Sequence, residues 1–206
     1  MNFSFLSSTE WWLMALVSYA VCAMPFGLII TKVFLGYDVR EQGSRNIGMT
    51  NVMRTGGKLP GIFTFLLDFS KSGVMLFISE YGIQDIGSDG IAAIAFICVF
   101  AHTKSVYLGF KGGKGVATNF GAWLAIDWRI SLVAMICWLT IYKIFKISSI
   151  GGIASLLVII VLSFIFHGIG SYFVLSIILG LYITALHYDN IKRLLTGEEL
   201  KMKKEN

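Results

Sequence analysis

The sequence has few charged residues and few of the residues that build soluble active sites. Only 14% of its 206 residues are Asp, Glu, Lys or Arg, against about 25% in typical soluble domains. Apolar residues make up 56% and stand in long runs between short polar segments. Since one membrane span takes about 20 apolar residues, the chain has no room for a separate soluble catalytic domain. We therefore predict a single all-α domain over residues 1–206, a polytopic membrane bundle.

Patterns that bind metals, nucleotides or nucleic acid are also missing. The three cysteines, Cys22, Cys98 and Cys137, lie singly inside apolar runs without a CxxC pair, which favours buried thiols. No His, Cys and carboxylate cluster has metal-ligand spacing, and neither a GxGxxG turn nor a P-loop is present. The basic residues are dispersed over loops rather than on one soluble face. We expect no metal, no cofactor and no nucleic-acid partner.

Seven apolar runs predict about seven transmembrane helices. They cover Trp11–Leu35, Leu59–Ser79, Gly90–Ala101, Val116–Ile126, Ile130–Ile144, Ile150–Phe166 and Tyr172–Leu186. The third and fourth runs are short for full spans, so a count of five, with these two only re-entrant, stays open. Pro25 and Gly27 interrupt the first run, which a membrane helix tolerates.

Basic residues fall in alternate loops of this seven-span arrangement. The side that holds the C-terminus carries Arg40, Arg45, Arg54, Lys58, Lys104, Lys111, Lys114, Lys146, Lys192, Arg193 and the tail Lys201-Met202-Lys203-Lys204. The other side carries Arg129 as its one basic loop residue, and His167 falls there too. The positive-inside rule then places the N-terminus outside and the C-terminus in the cytoplasm. Lys192 and Arg193 are interpreted as anchors of this kind.

Three polar segments on the predicted cytoplasmic side share small polar residues, glycine and isolated cations. The first is residues 43–54, the second is the stretch from His102 to Thr118, and the third is residues 187–193. In the second, Lys111 to Gly115 form a glycine-lysine loop whose N–H groups can approach a ligand and form an anion-binding nest. Arginine in the first segment suits bidentate contacts with phosphate. The three segments are predicted to converge on a single anion-binding pocket.

Asp68 and Lys71 lie one turn apart inside the second predicted span. Unpaired charge is costly there, so the two side chains are expected to pair with each other or to face the polar pocket. The residues alone leave open whether the two are structural or catalytic.

The three segments carry motifs that resemble the PlsY family of bacterial membrane glycerol-3-phosphate acyltransferases. The first motif is matched by Gly43, Ser44, Asn46, Gly48, Thr50, Asn51 and Arg54, the second by His102 and residues 110–118, and the third by His187, Asn190, Ile191, Arg193, Leu194, Gly197 and Glu199. Asp68 and Lys71 resemble the family's Asp-x-x-Lys pair, and Ser148 resembles the serine after its fifth span. The resemblance extends over nearly the whole chain.

The resemblance implies transfer of a fatty acyl group from acyl phosphate to the 1-hydroxyl of glycerol 3-phosphate. It implies substrate or phosphate contacts for Ser44, Asn46, Thr50, Asn51, Arg54, Lys111, Gly112, Gly113, Ser148 and Asn190, and catalytic roles for His187, Lys114 and His102. His187 is the first candidate to orient or deprotonate the attacking hydroxyl. His102 and a substrate phosphate oxygen are the alternatives, and the sequence leaves this choice open.

The implied partners are glycerol 3-phosphate, acyl phosphate, membrane lipid and the soluble enzyme that makes acyl phosphate. The implied location is the bacterial inner membrane, as a multi-pass protein whose active site faces the cytoplasm. A membrane transporter for an organic phosphate is the alternative function, because it also needs cations near the bilayer. Inverted repeats would favour a transporter, and the two halves of the sequence show none.

Overall fold

The structure, a computed structural model, describes residues 4–201, and every regular element in that range is helical. The predicted all-α class is confirmed for these residues, while Lys203 and Lys204 of the basic tail lie outside them. The α-helices are α1 (Thr9–Cys22), α2 (Phe26–Leu35), α3 (Met49–Gly56), α4 (Lys58–Gly82), α5 (Gly87–Thr103), α6 (Val116–Ile126), α7 (Trp128–Phe145), α8 (Ser148–His167), α9 (Ser171–Leu186) and α10 (Tyr188–Leu195).

Within the described residues, five helical segments are long and apolar enough to cross a bilayer. They are Thr9–Leu35, Lys58–Gly82, Gly87–Leu108, Trp128–Phe145 and Ser148–His167. A sixth appears when α9 and α10, bent by 59° at His187, are taken as one span. The total of seven stays a prediction, since it requires the 11 residues of α6, about 16 Å of helix, to count as a crossing of a core about 30 Å thick.

The third apolar run is longer than its sequence predicts. It was expected to be a short segment over Gly90–Ala101, but the candidate span runs for 22 residues over Gly87–Leu108. The expectation was wrong because the helix continues through polar residues at both ends, from Ser88 to the buried His102. At 22 residues this segment is long enough to cross the membrane, so its length does not require it to be re-entrant.

The first span breaks between α1 and α2. Pro25 precedes α2, and proline lacks the N–H that a continuous helix would use. Two side chains from elsewhere donate to carbonyl groups at the break: Ser105 Oγ to Ala23 O at 2.6 Å and Lys71 Nζ to Met24 O at 3.0 Å. The break is therefore held by residues of the second and third spans, as hydrogen-bonding groups inside a membrane require.

Helix α6 packs against α4 almost backbone to backbone. A Cβ atom at Gly121 would lie 1.9 Å from the carbonyl oxygen of Phe69, so only glycine allows this approach. Ser72 Oγ donates to Thr118 O at 2.6 Å across the same contact, and Trp123 is fully buried. This packing fixes the helix that follows the glycine-lysine loop.

The polar segments between helices gather at one end of the bundle. Residues from 44–54, from the start of α6, from the start of α8 and from 187–200 line one common pocket there. His167, predicted to lie on the other side, contacts Asp127 at 3.2 Å between the ends of α8 and α6. The end that carries the pocket is the one predicted to be cytoplasmic, and that orientation remains a prediction.

Candidate active site

One polar pocket lies where the three predicted segments meet. Its polar lining comprises Ser44, Asn46, Thr50, Asn51, Arg54, Asp68, His102, Lys114, Ser148, Ser149, His187, Asn190, Arg193 and Glu199. Each residue predicted for the site is in this lining except Lys111, Gly112 and Gly113. The structure thus brings Arg54, Lys114 and His187, which are far apart in the sequence, to a single pocket.

Asn51 holds the first segment in shape. Its Nδ2 donates to the carbonyl oxygens of Val39, Gln42 and Asn46, and its Oδ1 accepts from the backbone N–H of Ser44 at 2.8 Å. The side chain is buried, and these bonds use most of its hydrogen-bonding capacity. Asn51 therefore orders the turn that presents Ser44 and Asn46 to the pocket.

Arg54 lines the pocket and has an unused hydrogen-bond donor. Its Nε is buried and has no hydrogen-bond partner among residues 4–201, and its two terminal nitrogens make long bonds, 3.4 Å to Asn51 Oδ1 and 3.3 Å to Leu200 O. Burial lowers the pKa of the guanidinium, which nevertheless stays charged at any physiological pH. A buried cation with an unused donor is suited to an anionic ligand.

Gly112 and Gly113 do not contribute their N–H groups to the predicted nest. The N–H of Gly112 donates to Thr103 O at 2.9 Å, and the N–H of Gly113 donates to His102 O at 3.1 Å. These bonds cap the last carbonyls of α5, so neither N–H is free for a phosphate. For these two glycines the prediction was wrong, because the sequence does not show that the loop folds back onto the helix before it.

Both glycines are needed for this fold-back, and Lys111 lies outside it. A Cβ atom at Gly112 would lie 2.0 Å from His102 O, and one at Gly113 would lie 2.2 Å from His102 Nε2. The side chain of Lys111 is exposed and is not part of the pocket lining. Its predicted contact with substrate phosphate is not supported by this position.

Lys114 is the lysine of the loop that reaches the pocket. It is half-buried, and its Nζ has no hydrogen-bond or ion-pair partner in the described part of the chain. Burial, and then the positive charge of Arg193, lower its pKa to about 8. An ammonium group placed there without a carboxylate in contact is available to bind a phosphate oxygen.

Glu199 brings a carboxylate into the pocket. It accepts hydrogen bonds from Ser149 Oγ at 2.8 Å, from Asn190 Nδ2 and from Arg193 Nε at 2.8 Å. Burial opposes ionisation of Glu199, but these three hydrogen bonds outweigh it and lower its pKa. The predicted substrate ligand Asn190 therefore has one polar group occupied, while its Oδ1 is buried without a partner among the described residues.

Ser149, Arg193 and Glu199 line the pocket although none of them was predicted as a site residue. Arg193 was interpreted as a membrane anchor, and its place in the pocket corrects that interpretation. The signal that could have identified Arg193 and Glu199 is the third motif, which contains both residues. Ser149 follows Ser148, whose Oγ accepts from Thr50 Oγ1 at 2.9 Å and so joins α3 to the start of α8.

His187 and His102 both line the pocket and differ in their hydrogen-bond partners. His187 Nδ1 lies 2.8 Å from the carbonyl oxygen of Ile183. His102 Nδ1 lies 2.9 Å from Lys71 Nζ, which also contacts Asp68 Oδ1 at 2.7 Å. The predicted pairing of Asp68 with Lys71 is confirmed, and Asp68 also reaches the pocket. Among residues 4–201, no group of three metal-ligand side chains is arranged to hold a metal ion.

Comparisons with known proteins agree with the family resemblance of the three sequence motifs. Residues 12–197 match the model of a family described as glycerol-3-phosphate acyltransferase. A glycerol-3-phosphate acyltransferase of Gluconobacter oxydans is 37% identical over 194 residues, covering 93% of this chain and 92% of that protein. One of Erythrobacter litoralis is 39% identical over 186 residues, covering 90% and 91%.

Two solved structures are similar over most of their length. The glycerol 3-phosphate form of PlsY (YgiH), an integral membrane glycerol 3-phosphate acyltransferase, superposes with a TM-score of 0.88 at 31% identity, covering 94% of this chain and 96% of that one. The lysophosphatidic acid form superposes with a TM-score of 0.81 at 31% identity, covering 93% and 95%. The chain is thus an integral membrane acyltransferase, and it belongs to the PlsY family of glycerol-3-phosphate acyltransferases.

Proposed function

We propose that this protein transfers a fatty acyl group from acyl phosphate to the 1-hydroxyl of glycerol 3-phosphate. The products are 1-acylglycerol 3-phosphate and inorganic phosphate. The observation that carries the proposal is the pair of cations Arg54, whose buried Nε has no partner among residues 4–201, and Lys114, in one pocket at the end of an apolar helical bundle. Two phosphorylated substrates need two such cations, and an acyl chain needs an apolar wall beside them.

The chemistry asks for positioning and charge stabilisation more than for a protein nucleophile. The hydroxyl oxygen of glycerol 3-phosphate forms a bond to the acyl carbon, the bond from that carbon to the phosphate oxygen breaks, and the hydroxyl proton leaves. Phosphate is already a good leaving group, so holding the two substrates together supplies much of the barrier reduction. Donors aimed at the tetrahedral oxyanion supply more.

The cations divide between the two phosphates. Arg54, with Ser44 and Asn46 on the neighbouring turn, binds the phosphate of glycerol 3-phosphate. Lys114, two residues before α6, binds the phosphate of the acyl donor. Ser148 and Thr50, already linked to each other, and Asn190 with its free Oδ1 hold the glycerol hydroxyls.

His187 is positioned to receive the hydroxyl proton. A carbonyl oxygen can only accept, so the contact with Ile183 O puts the ring proton on Nδ1 and leaves the Nε2 lone pair free. Nε2 has no hydrogen-bond partner among the described residues, and His187 lines the pocket. A substrate phosphate oxygen is the competing acceptor, and the comparison of His187→Gln with wild type separates the two.

The setting follows from the charges and the apolar surface. The basic end faces the cytoplasm of a bacterial cell, in the inner membrane, and glycerol 3-phosphate enters from there. The acyl chain stays in the bilayer among membrane lipid. A soluble enzyme that makes acyl phosphate supplies the donor at the same face.

The test is an assay of the detergent-purified protein with synthetic acyl phosphate and glycerol 3-phosphate. We expect inorganic phosphate and 1-acylglycerol 3-phosphate in equal amounts, each dependent on both substrates. An acyl thioester in place of acyl phosphate is expected to give no product. Product from the thioester alone would refute the donor assignment. Uptake of glycerol 3-phosphate into reconstituted vesicles, without acyl transfer, would favour the transporter alternative.

A further inference from the structure

The buried ammonium of Lys71 has three polar neighbours within hydrogen-bond distance. Its Nζ lies 2.7 Å from Asp68 Oδ1, 2.9 Å from His102 Nδ1 and 3.0 Å from Met24 O. An ammonium group has three N–H donors and no lone pair. The carboxylate and the carbonyl oxygen can only accept, so they take two of these donors, and the third lies against Nδ1 of His102.

This arrangement decides which nitrogen of His102 carries its proton. A proton on Nδ1 would point at the ammonium of Lys71, donor against donor. Nδ1 is also nearer to Lys71 than to Asp68, whose Oδ1 is 3.5 Å away. Nδ1 is therefore the acceptor, and the ring proton is on Nε2.

The Nε2 atom of His102 is turned toward the loop and the pocket. It would lie 2.2 Å from a Cβ at Gly113, and His102 lines the pocket although it is almost completely buried. Among residues 4–201, Nε2 has no hydrogen-bond partner. An N–H that faces the pocket and has no partner on the protein can donate to a ligand bound there.

We infer that Lys71 locks His102 as a hydrogen-bond donor, opposite in tautomer to His187, so that His102 Nε2–H binds a substrate oxygen while His187 Nε2 accepts the proton. This inference rests on the proposed function and assigns a different role in it to each of the two histidines. His102 then acts on the oxygen where negative charge develops, and Lys71 is a positioning residue that acts through it. The sequence-based alternative, in which His102 is the base, is incompatible with a protonated Nε2.

The inference can be tested without any assay of activity. The chain has three histidines, so nitrogen-15 NMR of the histidine-labelled protein in detergent gives few signals, and single His→Gln variants assign them. We expect His102 to be protonated at Nε2 and His187 at Nδ1. A His102 signal from a ring protonated at Nδ1, or at both nitrogens, would overturn the inference while leaving the proposed reaction intact.

Substitutions test the function of the donor. A glutamine amide can donate from near the Nε2 position, whereas an asparagine amide reaches only the Nδ1 position. We expect His102→Gln to retain most of the turnover rate and His102→Asn to lose roughly 100- to 1,000-fold, as for removal of one oxyanion donor. His187→Gln is expected to be as inactive as His187→Asn, since an amide cannot accept a proton. Equal rates for the two His102 variants would contradict the donor role.

Lys71 is tested together with Asp68, because removal of one charge alone would leave its partner buried and unpaired. In Asp68→Asn/Lys71→Gln, which preserves size and polarity, we expect a mixture of His102 tautomers and a lower kcat with little change in KM. His167→Gln, at the opposite end of the bundle, is the control for both signals and rates. An unchanged His102 tautomer in the folded double variant would overturn the positioning role of Lys71, and the wild-type spectrum tests the tautomer independently if that variant does not fold.

Discussion

Replacement of Lys114 by glutamine removes the one ammonium of the glycine-lysine loop that reaches the pocket. A hydrogen bond to a charged group contributes about 1.5–3 kcal/mol, which corresponds to a roughly 10- to 150-fold loss of kcat/KM. Because Lys114 has no ion-pair partner among residues 4–201, its loss leaves no buried carboxylate behind. We therefore expect Lys114→Gln to lower kcat/KM and to leave the stability of the fold unchanged.

The pH dependence of kcat/KM tests the role of Lys114 more specifically. Burial and Arg193 lower the pKa of Lys114 to about 8, so the ammonium is charged below that pH and neutral above it. A neutral amine binds phosphate poorly, and kcat/KM of the free enzyme is expected to fall as pH rises through about 8. This alkaline fall should be absent in Lys114→Gln.

The assay is phosphate release by the detergent-purified enzyme at limiting acyl phosphate, between pH 6 and 10. Lys111→Gln is the matched control, because it removes the same charge three residues away from an exposed side chain outside the pocket. We expect its rate and pH profile to equal those of wild type. The reasoning is refuted if Lys114→Gln keeps the alkaline fall, or if the two lysine variants lose activity equally.

Further predictions concern one ligand and one packing contact. Arg54→Gln is expected to raise the KM for glycerol 3-phosphate by roughly 10-fold or more, because it removes a charged donor to phosphate. The exposed Arg40→Gln is its control, and equal KM values in initial-rate measurements would remove Arg54 from the site. Gly121→Ala is expected to destabilise the protein by about 1–3 kcal/mol through overpacking, since its Cβ would lie 1.9 Å from Phe69 O. Gly82→Ala, where nothing lies within 4 Å of the added Cβ, should leave the thermal midpoint in detergent unchanged, and equal midpoints for both variants would contradict the contact.

Much of the fold follows from hydrophobic runs and from the cost of buried charge. The pairing of Asp68 with Lys71 could be predicted because two ions of opposite sign one turn apart in a membrane helix have few alternatives. The length of α5 could not, because its last turn contains His102, whose polarity is offset by a partner on α4. Such partners belong to tertiary structure and leave no mark in a hydropathy pattern.

The candidate site was predictable as a set of segments and less so as a set of contacts. Arg54 and His187 were expected in a common pocket, and they line one. The nest at Gly112 and Gly113 failed because both N–H groups are used by the end of α5. Arg193 was missed because a cation just after a membrane span is typical of an anchor. Its hydrogen bond to Glu199, which lies six residues further along the chain, is a contact that the sequence does not show.

The most direct test of the central claim is an experimental structure of this protein with glycerol 3-phosphate bound. We expect phosphate oxygens about 3 Å from Arg54, with the 1-hydroxyl turned toward Nε2 of His187 and Lys114 left free for the second phosphate. Glycerol 3-phosphate bound outside this pocket, or bound in it with the phosphate away from both cations, would contradict the account.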